Sequence, residues 1–338
     1  MAENRRANSV IFGFDFQVNA AIVLMLENIK DLETLKLEGD YEDIELKLKN
    51  NKYVLAQAKA VEQSSKDFKN VRKNLKKALL TLSEGAQKVA AAQLILITNS
   101  PNPFNEKELN NMFYGHAHRK YDTLLDSSKE LIDGYLKKIE RPLDTKKFMI
   151  QVLPFETDED NERYKVIRQV VDDFIGELNL NNLGINKKLL TMWQNEVFKN
   201  GSKKKSAIKL KKSDIMWSVI SLVVDAEKII DDKFAEDFDS SLYAEIINKY
   251  KEVIDSCCER CETFIKILYD YQLFKTDKKE KEKCLDFVKT KWTNYKSEFK
   301  LEYADEDVEE GLIKIILYNI IKNRITIDRI KKGVNYDI

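Results

Sequence analysis

All four prolines of this chain, Pro101, Pro103, Pro142 and Pro154, stand before residue 155. Proline lacks an N–H and its ring clashes with the preceding turn, so helix interiors expel it. A long proline-free stretch with helical periodicity therefore predicts an all-helical second half. Its candidate helices span roughly 163–179, 186–199, 213–231, 240–274, 278–299 and 307–323. The polar, mostly acidic run Thr157-Asp158-Glu159-Asp160-Asn161-Glu162-Arg163 has the composition of a linker and divides the chain into 1–156 and 163–338.

The first half reads as a mixture of helices and strands. From Phe16 to Ile29, apolar Val18, Ala21, Ile22, Met25 and Ile29 recur at helical spacing. Ile44, Leu46 and Leu48 alternate with polar residues, which predicts a strand with one buried face. Asn50-Asn51 is a turn signal, and a second strand from Lys52 to Ala60 completes a hairpin. Ser64 or Ser65 is the expected cap of a helix reaching about Leu82, apolar at Phe68, Val71, Leu75, Leu79 and Leu82. The continuous apolar runs Gln93–Thr98 and Phe148–Leu153 predict two more strands, the first buried on both faces.

Composition limits the chemistry. Lys+Arg and Asp+Glu both number 57, so nucleic-acid binding has to come from local basic patches. The two histidines, His116 and His118, rule out a dispersed histidine triad, and no further metal ligands stand near them in sequence. Four cysteines among 338 residues make no disulfide framework, and Cys257, Cys258, Cys261 and Cys284 read as buried thiols in a reducing, cytoplasmic protein. The charged start lacks the apolar core of a signal peptide, and no stretch approaches the ~20 apolar residues of a membrane span.

One constellation does carry chemistry. Strand alternation puts Gln57 and Lys59 on one face, and the hairpin brings Asp43 beside them. A carboxylate holds Mg²⁺ through hard oxygen ligands, and the Gln57 carbonyl offers an uncharged second ligand. Lys59 would orient water or stabilise negative charge developing on a phosphate. Lys66, Lys69, Lys73, Lys76 and Lys77 on the following helix are candidate DNA-phosphate contacts. The cluster Lys203, Lys204, Lys205, Lys209, Lys211 and Lys212 reads as a mobile basic loop.

Asp43 followed by Gln57-Ala58-Lys59 resembles the PD-(D/E)XK signature of restriction-endonuclease-like nucleases, with Gln in place of the usual acid, as in one branch of that family. Gly13-Phe14-Asp15-Phe16-Gln17, entering a helix that ends near Glu27, adds to the likeness. The combination is similar to effector nucleases of bacterial anti-phage defence shared by CBASS and Lamassu systems, and most to the Lamassu nuclease subunit. The resemblance spans about residues 10–155. It implies an α+β PD-(D/E)XK nuclease domain, a central mixed sheet flanked by helices, followed by an all-α domain for assembly and partner binding. It further implies Mg²⁺ or Mn²⁺ at Asp43 and Gln57, with Glu42 and Glu27 as further ligand candidates and Gln17 as an auxiliary residue. The expected activity is cleavage of double-stranded DNA with little sequence preference. The expected partners are an SMC-like ATPase and an accessory subunit that restrain the nuclease until it self-associates; no membrane is involved. A scaffold that keeps the fold for DNA or protein binding without catalysis is the alternative, and a nuclease acting on RNA or single strands is a third reading.

Overall fold

The computed structural model describes residues 8–106, 113–156, 158–224, 240–256, 261–299 and 305–336. Two compact units emerge, 1–212 and 213–338. The first is α+β. Helix α1 (Asn8–Glu27) leads into β1 (Leu32–Leu37), β2 (Ile44–Leu48) and β3 (Tyr53–Lys59), then α2 (Val71–Lys88), β4 (Ala91–Thr98), β5 (Ala117–Lys120), α3 (Asp126–Leu136) and β6 (Phe148–Val152). The short α4 (Asp160–Arg163), then α5 (Lys165–Glu177), α6 (Asn186–Gly201) and the two-residue strand β7 (Leu210–Lys211) complete the unit.

The seven strands form one mixed sheet, ordered β5-β6-β4-β3-β2-β1-β7. Its centre, β3-β4-β6, is parallel, and the remaining pairs are antiparallel. Leu55 of β3 and Leu94 and Leu96 of β4 meet Leu75, Leu79 and Leu82 of α2 and Ile132 of α3 in one apolar cluster. The alternate residues Val54, Ala56, Ile95 and Ile97 are buried on the opposite face, as strand geometry requires.

Helix α1 packs on β1, β2 and β3 and is flanked by α5 and α6. Two-sided packing demands a helix that is apolar all round, and Phe16 and every residue from Val18 to Leu26 are buried. By length and composition, Asn8–Glu27 meets the requirement for a membrane span, contrary to the expectation that no stretch does. Here its apolar surface is spent on the core.

The unit boundary falls at Lys212, not in the acidic run near 157–163, because α6 and β7 are fastened to β1. Asn200 at the end of α6 accepts a hydrogen bond from the Leu37 amide at 3.1 Å and donates to the Ile208 carbonyl at 3.0 Å. The Lys36 ammonium, 1% exposed, donates to the Asn200 carbonyl at 3.0 Å. Burial pulls the Lys36 pKa down from its ordinary value. Leu210 and Lys211 then pair with Leu35 and Thr34. The second half is therefore not wholly helical: it opens with two helices and a strand that belong to the sheet unit. The basic stretch expected to be a mobile loop is partly ordered, with Lys211 in β7 and the buried Lys212 donating to the Lys30 carbonyl at 3.0 Å.

The second unit is helical: Lys212–Val223 at its border, then Ser240–Ser256, Cys261–Leu273, Glu280–Lys291, Lys296–Phe299, Glu306–Lys322 and Arg324–Gly333. Glu306–Lys322 is its central helix, buried continuously from Gly311 to Ile321 except at Lys314, and it packs against five of the others. Trp217 stacks edge-on against Phe264, ring centroids 4.4 Å apart. Cys284 is buried, and burial pushes its thiol pKa up to about 12, so it packs as an apolar group. Cys257 and Cys258 lie outside the described residues, as does part of the helix expected over 213–231.

Candidate active site

The site is built at one end of the sheet, where the connection between β1 and β2 meets the end of β3. The Glu38 amide donates to the Asp43 carbonyl at 2.7 Å and the Gly39 amide to the Glu42 carbonyl at 3.1 Å, closing a tight hairpin. Inside it, the Glu45 carboxylate accepts from the Tyr41 and Glu42 amides. A Cβ at Gly39 would fall 2.1 Å from Glu45 Oε1, so only glycine leaves that carboxylate its place. On the other side, Gly85 of α2 lies where a Cβ would meet the Tyr41 carbonyl at 3.0 Å, and this lets α2 close onto the hairpin.

Asp43, the residue before β2, is thereby aimed at β3. Its Oδ2 accepts from the Ala58 amide at 3.0 Å and from the Gln57 side-chain amide, and lies 3.5 Å from Lys59 Nζ. The three side chains singled out from the sequence meet at one point. Gln57 is oriented differently from a metal ligand: its nitrogen faces Asp43, and its oxygen accepts from the Thr81 hydroxyl at 2.6 Å. In this arrangement Gln57 positions Asp43, and Thr81 of α2 positions Gln57.

Glu42 is 7% exposed and its Oε1 has no hydrogen-bond partner among the described residues. Burial, and then the neighbouring Asp43 charge, push its pKa from 4.5 up to about 8. Glu38 stands nearby. Burial foremost, then repulsion from Asp43, raises its pKa, while a hydrogen bond from Gln17 and the Lys59 charge act in the opposite sense. Gln17 thus reaches the site through Glu38. Glu38 and Thr81 were not foreseen, although an acid beside the Gly39-Asp40 turn signal was the available clue to Glu38.

Glu27 does not join this group. It lies ten residues beyond Gln17 on α1, about 15 Å along the helix axis at 1.5 Å per residue. Its Oε1 instead lies 2.9 Å from His118 Nε2 and 3.7 Å from His116 Nε2, and accepts from the Gln151 amide at 3.0 Å. The histidines therefore do gain ligand partners, from α1 and β6, far away in sequence. Burial, then the neighbouring His118, lowers the His116 pKa and favours its neutral ring.

The expected helix start is also displaced. Ser64 and Ser65 donate hydroxyl hydrogen bonds to the Glu156 carboxylate at 2.9 and 2.7 Å, and α2 begins only at Val71. Lys66 and Lys69 thus precede the helix, while exposed Lys73, Lys76 and Lys77 lie on it. Lys66 lines a cleft of about 880 Å³ together with Arg163 and the carboxylates of Asp15, Glu62, Glu156 and Asp158. This surplus of negative charge is a poor seat for phosphate. Asp15, within the motif entering α1, is tied to Tyr164 at 2.9 Å and Arg163 at 3.7 Å.

Comparison with protein-family models, curated proteins and solved structures gives no match.

Proposed function

We propose that this chain is a metal-dependent endonuclease of the PD-(D/E)XK kind, hydrolysing phosphodiester bonds at Asp43 and Lys59. The observation that carries this reading is the convergence of Asp43, Gln57 and Lys59 at a sheet end, beside a buried carboxylate, Glu42, with one oxygen that has no hydrogen-bond partner among the described residues. Two adjacent carboxylates, one of them with an orphaned oxygen, form a donor set that a hard divalent cation satisfies. Asp43 and Glu42 would hold Mg²⁺ or Mn²⁺, with Glu38 at the margin. When bound, such an ion supplies polarisation of the scissile phosphate and a more acidic water.

The chain's own residues do the rest. The Ala58 amide and Gln57 fix the Asp43 carboxylate, so no reorganisation is needed when substrate arrives. The Lys59 ammonium, a quarter exposed, faces both Asp43 and solvent, where it stabilises charge developing on phosphoryl oxygens. Lys73, Lys76 and Lys77 would hold the DNA backbone without reading sequence. The resemblance to the Lamassu nuclease adds the proposal that the chain serves anti-phage defence, with an SMC-like ATPase and an accessory subunit restraining it and self-association releasing it. Cutting both strands then needs two protomers or two successive events.

The test is a substrate panel of duplex DNA, single-stranded DNA and RNA, incubated with Mg²⁺ or Mn²⁺ and with EDTA. The chain should be supplied with its partner subunits or forced to oligomerise by fusion. Metal-dependent cutting of duplex DNA, abolished by EDTA, supports the reading. A scaffold would cut none of the three, and preferential cutting of RNA or single strands would replace duplex DNA as substrate.

A further inference from the structure

We propose that Glu27, His116 and His118 form a second metal site, specific for a divalent transition metal of the zinc class, with Gln151 as its uncharged fourth ligand. The site is independent of the nuclease reading and lies at the C-terminal end of α1, ten residues beyond Gln17.

Three separate pieces of the fold build it: the last residue of α1, the segment entering edge strand β5, and the adjoining strand β6. One oxygen of Glu27 and one ring nitrogen of each histidine all lie within 4.8 Å of one another. Tetrahedral zinc, with bonds of about 2.0–2.1 Å, sets its ligand atoms about 3.3 Å apart. The separations from Glu27 Oε1, 2.9 Å to His118 and 3.7 Å to His116, bracket that value. Small rotations of exposed Glu27 and His118 would close the shell.

Gln151 supplies the second observation. It is fully buried, and its Nε2 lies 3.0 Å from both Glu27 Oε1 and His116 Nε2. Its Oε1 is buried with no partner among the described residues. Without metal, the amide hydrogens bridge two acceptors while the oxygen is stranded. Turning the amide over would bring Oε1 toward the three other ligand atoms, and with both imidazoles presenting unprotonated Nε2 this is a set of four acceptors that a cation satisfies.

The ligand set selects the metal. Two imidazoles and a carboxylate suit zinc and its transition-metal neighbours, whereas Mg²⁺ takes oxygen ligands and keeps its water. The two sites therefore divide the cations between them: a hard one at Glu42 and Asp43, a nitrogen-preferring one at Glu27. Zinc would pin α1 to β5, a four-residue strand at the edge of the sheet.

The experiment is calorimetric titration of EDTA-treated full-length chain with ZnCl₂, repeated with MgCl₂. Co²⁺ absorption spectra report the ligand type, and circular dichroism verifies the fold of each variant. One equivalent of Zn²⁺ should bind that H118N loses and that E27Q and H116N weaken at least tenfold, while D43N retains it. Mg²⁺ should not compete for it, and the Co²⁺ complex should show no thiolate charge-transfer band. Addition of Zn²⁺ should slow amide exchange in Ala117–Lys120. Unchanged zinc binding in both H118N and E27Q, a thiolate band in the Co²⁺ complex, or no zinc binding by wild type would each overturn the proposal. Because His118 is exposed, H118N should not compromise folding.

Discussion

Replacing Glu42 with Gln should stabilise the metal-free protein at alkaline pH and leave it unchanged in acid. Burial and the Asp43 charge raise the Glu42 pKa from 4.5 to about 8. The folded state therefore binds the proton more tightly than the unfolded chain does. The resulting stability is fully present below pH ~4.5 and is lost as pH rises through about 8. At 1.36 kcal/mol per unit of pKa, the full loss is about 5 kcal/mol, an upper value because water entry relaxes such sites; about 2–5 kcal/mol is the expected range. Asp15, Glu38 and Glu45 are also raised by burial, so both proteins carry a background slope of the same sign, which cancels in the difference between wild type and variant. The assay is urea unfolding of wild type and E42Q in EDTA from pH 4 to 9, repeated in Mg²⁺. The two curves should meet near pH 4 and diverge by pH 8.5, with E42Q the more stable, and Mg²⁺ should close much of the gap by stabilising wild type. Parallel curves across that range would refute the assignment of Glu42 as a buried carboxylate strained by Asp43.

Other substitutions probe other links in the account. Asn200→Ala removes the side-chain bonds to the Leu37 amide and the Ile208 carbonyl, and should cost about 2–4 kcal/mol in urea unfolding, with faster exchange of the Leu37 amide. Gly39→Ala drives a Cβ into the Glu45 carboxylate. It should destabilise the first unit by about 1–3 kcal/mol in the same assay and weaken Mg²⁺ binding through displacement of Glu42. The triple change of Lys73, Lys76 and Lys77 to Ala should lower the slope of log affinity against log salt for duplex DNA by about 2–3, measured by fluorescence anisotropy. An unchanged slope would remove those lysines from the DNA path.

The hairpin of β2 and β3, strands β4 and β6 and the convergence of Asp43 with Lys59 were legible because their patterns are local. Ile44, Leu46 and Leu48 alternate cleanly, and the pair Asn50-Asn51 turns the chain with Asn51 at φ 59°. Strand β1 was hidden for a physical reason. A bulge between Leu32 and Thr34 breaks the two-residue period, so its leucines at 32 and 35 stand at helical spacing. Lys36 deepened the disguise, being a charged residue whose burial depends on a carbonyl 164 positions away. Strand β5 is four residues at a sheet edge with only Ala117 buried, too short and polar for a periodic signal.

The site residues divide in the same way. Asp43, Gln57 and Lys59 come from neighbouring strands, where alternation and a turn fix their relation. Thr81 reaches the site only because α2 packs over β3, and the grouping of Glu27 with His116 and His118 depends on tertiary contacts 91 residues apart. Ser64 and Ser65 looked like helix caps, yet the Glu156 carboxylate outcompeted that role by offering both hydroxyls a charged acceptor. Periodicity identified α5 and α6 as helices but could not assign them to a unit, since their attachment runs through Asn200 and β7.

Cleavage of supercoiled plasmid by wild type, D43N and K59A, side by side in Mn²⁺ with the activating assembly present and the fold verified, addresses the central claim most directly. Wild type should convert the plasmid to nicked and linear forms, and each variant should lose at least a hundredfold in rate while retaining DNA binding. Equal cutting by K59A and wild type, or no cutting by a fully assembled wild type, would contradict it.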